Sequence, residues 1–196
     1  METAQEFLQL AVNKQVLKLG EFTLKSGRVS PYFFNAGLFD DGVSLAKLGE
    51  YYAKTIMDSG IEFDMLYGPA YKGIPLATAI SVAFYNLYDL NVPVCFNRKE
   101  AKGHGEGGQL IGAPLKGRVL IVDDVVSAGT SVRESIEIIK QNEAATCGIA
   151  VALDRQERGE GMSSAMQELQ REFDLETIAI ANLESLLEFL SDDEDA

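Results

Sequence analysis

Two adjacent acids, Asp123 and Asp124, close the apolar run Val119-Leu120-Ile121-Val122, and Val125-Val126-Ser127-Ala128-Gly129-Thr130-Ser131 follows them. As chemistry, this is a buried strand, two carboxylates, and a turn of small residues opening a helix. The turn offers backbone N–H groups and the hydroxyls of Ser127, Thr130 and Ser131. A helix N-terminus adds about half a positive charge. Together these make a phosphate cradle. The turn carries neither the Gly-Lys-Ser/Thr of a Walker A loop nor a dinucleotide fingerprint. Two acids beside a phosphate need something hydroxylated or cationic to meet, and a sugar's vicinal hydroxyls or a Mg²⁺ would serve. A plainer reading exists: Ser131 with Glu134 three residues on has the spacing of a capping box, and the acids would simply end a strand. Burying two acids idly is costly, which favours the site.

A second contrast is cationic. The chain has a net charge of −13, yet Arg98, Lys99, Lys102 and His104 fall within seven positions, interleaved with glycines. Such a segment suits a lid that closes over an anionic ligand; the plain alternative is a solvated charged loop. Tyr71 and Lys72 follow a short strand, and Lys72 could grip a phosphate or simply be solvated. Arg155 directly follows another buried strand. Phe33 and Phe34 read equally as ordinary core or as a flat apolar wall for a ring.

The elements that must position these residues follow from periodicity. Helices are expected over 4–18 (ended by Gly20), 42–59, 73–88, 130–142, 160–172 and 184–190. Residues 21–38 read as a hairpin or extended excursion. Strands are expected over 64–68, 92–98, 118–124, 146–154 and 175–181, and the Gly- and Lys-rich 99–117 as a long loop. Alternating strands and helices with continuous apolar strands argue an α/β fold, a parallel sheet covered on both faces. Ligands then bind at the carboxyl ends of the strands, where the residues singled out above fall.

Composition bounds the rest. The chain has 196 residues, 46% hydrophobic and 24% charged, which suits one folded domain and excludes general disorder. With 17 basic against 30 acidic residues, general binding to nucleic acid is not expected. Cys95 and Cys147 sit apart in strand-like runs, as buried free thiols suited to a reducing cytosol. No signal peptide or membrane span is expected. The acidic tail, 191–196, reads as a solvated, disordered end.

The segment 119–131 closely resembles the phosphoribosyl-pyrophosphate (PRPP) motif of type I phosphoribosyltransferases. Four further stretches narrow the resemblance to the orotate phosphoribosyltransferases. F-T-L-K-S-G-R-V-S-P-Y-F-F-N (22–35) resembles their N-terminal substrate segment and G-P-A-Y-K-G-I-P (68–75) their pyrophosphate loop. R-K-E-A-K-G-H-G-E-G-G (98–108) resembles their mobile catalytic loop, and L-D-R-Q-E-R-G (153–159) their orotate-contacting strand end. The match runs in order from about residue 5 to 190. Ser127 stands where the PRPP turn often carries Thr, which keeps the hydroxyl.

The resemblance implies a type I phosphoribosyltransferase fold: one domain over 1–196, with a small hood of about residues 1–40 plus the C-terminal region, and a flexible catalytic loop. It implies transfer of ribose 5-phosphate from PRPP to orotate, giving orotidine 5′-monophosphate and pyrophosphate, a step of pyrimidine and UMP biosynthesis, in a cytoplasmic homodimer using Mg²⁺. Asp123 and Asp124 would hold the ribose hydroxyls near Mg²⁺, and Val125, Val126, Ser127, Ala128, Gly129, Thr130 and Ser131 the 5′-phosphate. Lys25, Tyr71, Lys72, Arg98, Lys99, Lys102 and His104 would also bind PRPP. Lys102 would be the main transition-state cation and His104 a hydrogen-bond donor, on a loop reaching the neighbouring subunit's site. Lys25, Phe33, Phe34, Ser127 and Arg155 would contact orotate. A phosphoribosyltransferase for another base and a non-catalytic PRPP-sensing regulator are the alternatives. Segment 22–35 speaks against the first, and the acidic charge and cationic lid against the second.

Overall fold

A computed structural model describes residues 2–23, 27, 29–99, 109–156 and 163–194, with side chains up to 191. The first helix, α1 (Glu2–Asn13), buries Phe7, Leu8 and Ala11. It is shorter than its periodicity suggests, because Gln15 takes a left-handed φ of 58° and turns the chain away. Val16 and Leu19, expected on that helix, lie beyond it; Leu19 belongs to strand β1 (Leu17–Thr23). Strand β2 (Val29–Phe34) pairs antiparallel with β1 in a separate two-stranded sheet. A short 3₁₀ turn over Ala36–Leu38 leads to α2 (Gly42–Ser59). Reciprocal Asp41–Ser44 hydrogen bonds start that helix, and Gly60 at φ 72° ends it.

The remainder alternates: β3 (Met65–Gly68), α3 (Gly73–Tyr88), β4 (Val94–Asn97), β5 (Leu110–Gly112), β6 (Arg118–Asp123), α4 (Thr130–Gln141), β7 (Ala145–Asp154), α5 (Ala165–Phe173), β8 (Glu176–Asn182) and α6 (Leu183–Glu194). The six-stranded sheet has the order β5-β4-β3-β6-β7-β8. All its pairings are parallel except β4 with β5. Strand β5 corrects the sequence reading, which treated all of 99–117 as loop. It is a three-residue edge strand with one partner, too short to show a period. The final helix also runs through Glu194, into the acidic tail expected to be disordered.

The strand pleat sorts the core into two layers. Leu66, Leu120, Val122, Ala150 and Ala152 face a cluster with Leu8, Tyr52 and Ile80 from α1, α2 and α3. Met65, Tyr67, Val119, Ile121 and Val151 face the other, with Val132, Ile139 and Leu169 from α4 and α5. Helices α3 and α4 thus cover opposite faces, and the connections from neighbouring β3 and β6 depart in opposite directions. The crevice at their carboxyl ends is the switch point where sheets of this kind take ligands.

Candidate active site

Two turns meet across that crevice. The first, Pro69–Lys72, leaves β3. Gly68 and Gly73 clamp its base so closely that a Cβ on Gly68 would lie 2.2 Å from the Gly73 carbonyl oxygen. Asn97, at the end of β4, accepts a hydrogen bond from the Ala70 N–H at 2.8 Å through its side-chain oxygen. The Ala70–Tyr71 peptide is cis. Tyr71 is exposed, and the Lys99 ammonium lies 5.4 Å from its ring centroid.

The second turn, Asp124–Gly129, leaves β6. Val125 packs against one core layer and Val126 is buried in the other, so their side chains anchor the turn while its backbone stays at the crevice. Ser127, Thr130 and Ser131 are exposed. Gly129, at φ 77°, is the N-cap of α4, and no side chain caps that helix. The Ser131–Glu134 capping box allowed by the sequence does not form, and the helix N-terminus is open toward the crevice. Behind the turn, Arg133 donates to the Ala128 carbonyl oxygen at 3.0 Å and pairs with Glu172 of α5 at 2.7 Å.

The two acids are held from behind. Tyr52 of α2, wholly buried, donates its hydroxyl to the Asp123 carbonyl oxygen at 2.7 Å. The Asp124 carbonyl oxygen accepts from the N–H groups of Ala152 and Leu153 on β7. The Asp124 N–H donates to the Asp123 carboxylate at 2.9 Å. The Asp124 carboxylate, only 8% exposed, binds the Lys72 ammonium at 2.6 Å and joins the two turns. An open cleft of about 920 Å³ adjoins them, between Pro69, Ala70, Asn97 and Lys99 on one side and Thr130 and Ser131 on the other.

Burial, and then the charge of Asp124, push the Asp123 carboxyl up to about 7. The sign of the consequence is fixed. An acid with a raised folded pKa keeps its proton longer in the folded state, so stability falls as pH rises from about 4 through about 7. One such group gives a slope of at most about 1.4 kcal/mol per pH unit. Asp41, held down at about 2 mainly by its hydrogen bond from Lys14, acts with the opposite sign and at lower pH: its stabilisation is lost as pH falls from about 5 toward 2. Urea midpoints of the ligand-free protein are therefore expected to fall between pH values of about 5 and 7. Asp123→Asn should flatten the fall, and an equal slope in the variant would contradict the assignment.

The residues expected to meet a planar ring are only partly brought together. Strand β2 alternates, with Ser30, Tyr32 and Phe34 buried and Val29, Pro31 and Phe33 exposed. Phe34 packs at 6.3 Å from Phe7 in the core, while Phe33 packs at 5.6 Å from Phe22 on the opposite face. They cannot form one wall together. The flat partner of Arg155 is instead Tyr32, whose ring centroid lies 5.2 Å from the guanidinium carbon. Alternation along β2, applied to 29–34, would have set Tyr32 apart from Phe33. Tyr52, Asn97 and Arg133 were also missed, and only their neighbours in space reveal them. Arg98 continues the β4–β5 pairing through its N–H. Lys25, Lys102 and His104 lie outside the described residues.

Comparison with known proteins gives the family. The family model for the phosphoribosyl transferase domain matches residues 38–180. The orotate phosphoribosyltransferase of Yersinia pestis (strain Pestoides F) is 59% identical over 188 residues, 96% of this chain and 87% of that protein. This chain belongs to the orotate phosphoribosyltransferase family. Orotate phosphoribosyltransferases are pentosyltransferases, and the α/β fold with its mainly parallel sheet is theirs. The crystal structure of the Francisella tularensis orotate phosphoribosyltransferase matches with a TM-score of 0.88 at 43% identity, covering 95% of this chain and 90% of that one. The adenine phosphoribosyltransferase of Leishmania donovani, at 13% identity and a TM-score of 0.58, shares the fold alone. Neither another base nor a non-catalytic regulator is favoured by these relations.

Proposed function

We propose that the crevice transfers ribose 5-phosphate from PRPP to orotate, giving orotidine 5′-monophosphate and pyrophosphate. One observation carries this reading: a half-buried acid, Asp123, and a buried one, Asp124, stand beside an uncapped helix N-terminus, with a lysine from the facing turn on Asp124. In the reaction the bond from the anomeric carbon to pyrophosphate breaks, and a bond to a ring nitrogen of orotate forms. Positive charge develops on the sugar while negative charge builds on the leaving group. Backbone N–H groups over 125–131 and the hydroxyls of Ser127, Thr130 and Ser131 receive the 5′-phosphate. Asp123 and Asp124 accept hydrogen bonds from the ribose hydroxyls. Tyr71, Lys72, Arg98 and Lys99, with Lys102 and His104 of the lid and Lys25, stabilise the pyrophosphate. Arg155 takes the carboxylate of orotate, with Ser127 nearby.

Magnesium fits this donor set in one way. Among the described residues no group of three or more His, Cys, Asp or Glu could hold a metal by itself. Two carboxylates, one already on a cation, suit a Mg²⁺ that arrives with PRPP and keeps several waters. When bound, it neutralises charge on the pyrophosphate. Titrating PRPP into the protein with and without Mg²⁺ tests this, and equal affinity in both would remove the metal from the reading.

Arg133 is expected to hold the phosphate turn in shape. Arg133→Ala should raise KM for PRPP about 5- to 20-fold while kcat stays within about 2-fold, because its contact to the Ala128 carbonyl oxygen is the same in ground and transition states. A fall in kcat with unchanged KM in steady-state kinetics would contradict it.

We also propose a single catalytic domain, with α1 and the β1–β2 hairpin as its hood, acting as a homodimer. Exposed Val82, Tyr85 and Tyr88 on α3 supply an apolar face for a second copy. No helix among the described residues is long and apolar enough to cross a membrane. Both cysteines are free, which suits the cytoplasm.

A further inference from the structure

Arg155 and Tyr32 come from different sheets. Arg155 follows β7 of the six-stranded sheet, and Tyr32 is the fourth residue of β2 in the separate hairpin. Tyr32 is 6% exposed and faces inward with Ser30 and Phe34. The guanidinium carbon lies 5.2 Å from its ring centroid. A guanidinium over an aromatic face is held by the negative face of the ring. A guanidinium that meets a ring with its flat keeps its in-plane N–H fork for a carboxylate. A stacked arginine can thus keep its support and bind a carboxylate together. An arginine without such a support would have to give up rotamer freedom when the ligand arrives.

We propose that Tyr32 is a positioning residue for base recognition: its ring holds Arg155 with the N–H fork presented to the carboxylate of the incoming base. This rests on the reading that Arg155 binds that carboxylate. The ring, and not the hydroxyl, carries the effect. Because the contact joins the hairpin to the carboxyl end of β7, it also ties hood placement to discrimination between orotate and bases lacking a carboxylate.

Steady-state KM values for orotate and PRPP in Tyr32→Phe, Tyr32→Leu, Arg155→Leu and the double Leu variant test this. Tyr32→Phe should stay within about 2-fold of wild type. Tyr32→Leu should raise KM for orotate on the order of 5- to 20-fold and leave KM for PRPP within about 2-fold. Arg155→Leu should raise KM for orotate on the order of 100-fold, and Tyr32→Leu should add less than about 2-fold on that background. If Arg155→Leu leaves KM for orotate unchanged, the role of Arg155 falls, and the proposal with it. If Arg155→Leu acts as expected but Tyr32→Leu changes neither KM, raises both equally, or adds its full effect in the double variant, the Tyr32 proposal alone is overturned. Should Tyr32→Leu fail to fold, mono-, di- and trifluorinated phenylalanine at position 32 keep the shape while draining charge from the ring. KM for orotate should climb with each fluorine, and a flat series would overturn the proposal.

Discussion

Asp124→Asn is expected to lower kcat by about two to three orders of magnitude, the usual scale for removing one well-placed electrostatic group from a transition state. Asp124 is only 6% exposed and its backbone is pinned by two N–H groups of β7, so the side chain cannot swing aside to compensate. The amide can still accept a hydrogen bond, but it no longer carries the charge that meets a developing cation on the sugar. It also loses the ion pair with Lys72, which spans the two turns at 2.6 Å. KM for PRPP should rise as well, since the turn carrying Lys72 is then set by Asn97 and the Gly68–Gly73 clamp alone. Rapid-quench measurement of the chemical step separates the two effects. An unchanged chemical step would take Asp124 out of the reaction.

Lys102→Ala should act more exclusively on kcat, with a loss on the order of 10³-fold and PRPP affinity changed far less. The reason is that its contact to pyrophosphate strengthens as the leaving group gains charge. Lys102 lies outside the described residues, so this expectation rests on the family resemblance of segment 98–108. The same variant tests whether the lid acts across a dimer. Mixing inactive Lys102→Ala with inactive Asp124→Asn subunits rebuilds one intact site in the hybrid if a lid serves its neighbour. Activity should then return in part, and none returning under verified subunit exchange would argue for a lid serving its own chain.

The parts of this architecture legible in the sequence are those with local causes. Helix α2 runs over 42–59 as expected, because Asp41 and Ser44 cap its start and Gly60 ends it within a few residues of chain. The alternation of apolar strands and helices gave the parallel sheet, and with it the strand ends where the site lies. The turn between β6 and α4 was legible because its residues are contiguous, Asp123 to Ser131. What failed was what depends on partners distant in sequence. Strand β5 exists because β4 offers an edge. Helix α1 stops at Asn13 because Gln15 turns left-handed, which no apolar spacing foretells. Tyr52 and Tyr32 meet Asp123 and Arg155 from elements 71 and 123 residues away in the chain, and Arg133 is fixed by Glu172, 39 residues away. Phe33 and Phe34, adjacent in sequence, face opposite ways for the elementary reason that a strand alternates.

The most direct test is to mix the purified protein with orotate, PRPP and Mg²⁺ and follow the loss of orotate's ultraviolet absorbance, with parallel reactions containing uracil, adenine or hypoxanthine. Turnover with orotate alone, accompanied by release of pyrophosphate and abolished in the Asp123→Asn, Asp124→Asn double variant, is the predicted result. Turnover of orotate that survives loss of both acids, or turnover only of a base without a carboxylate, would contradict it.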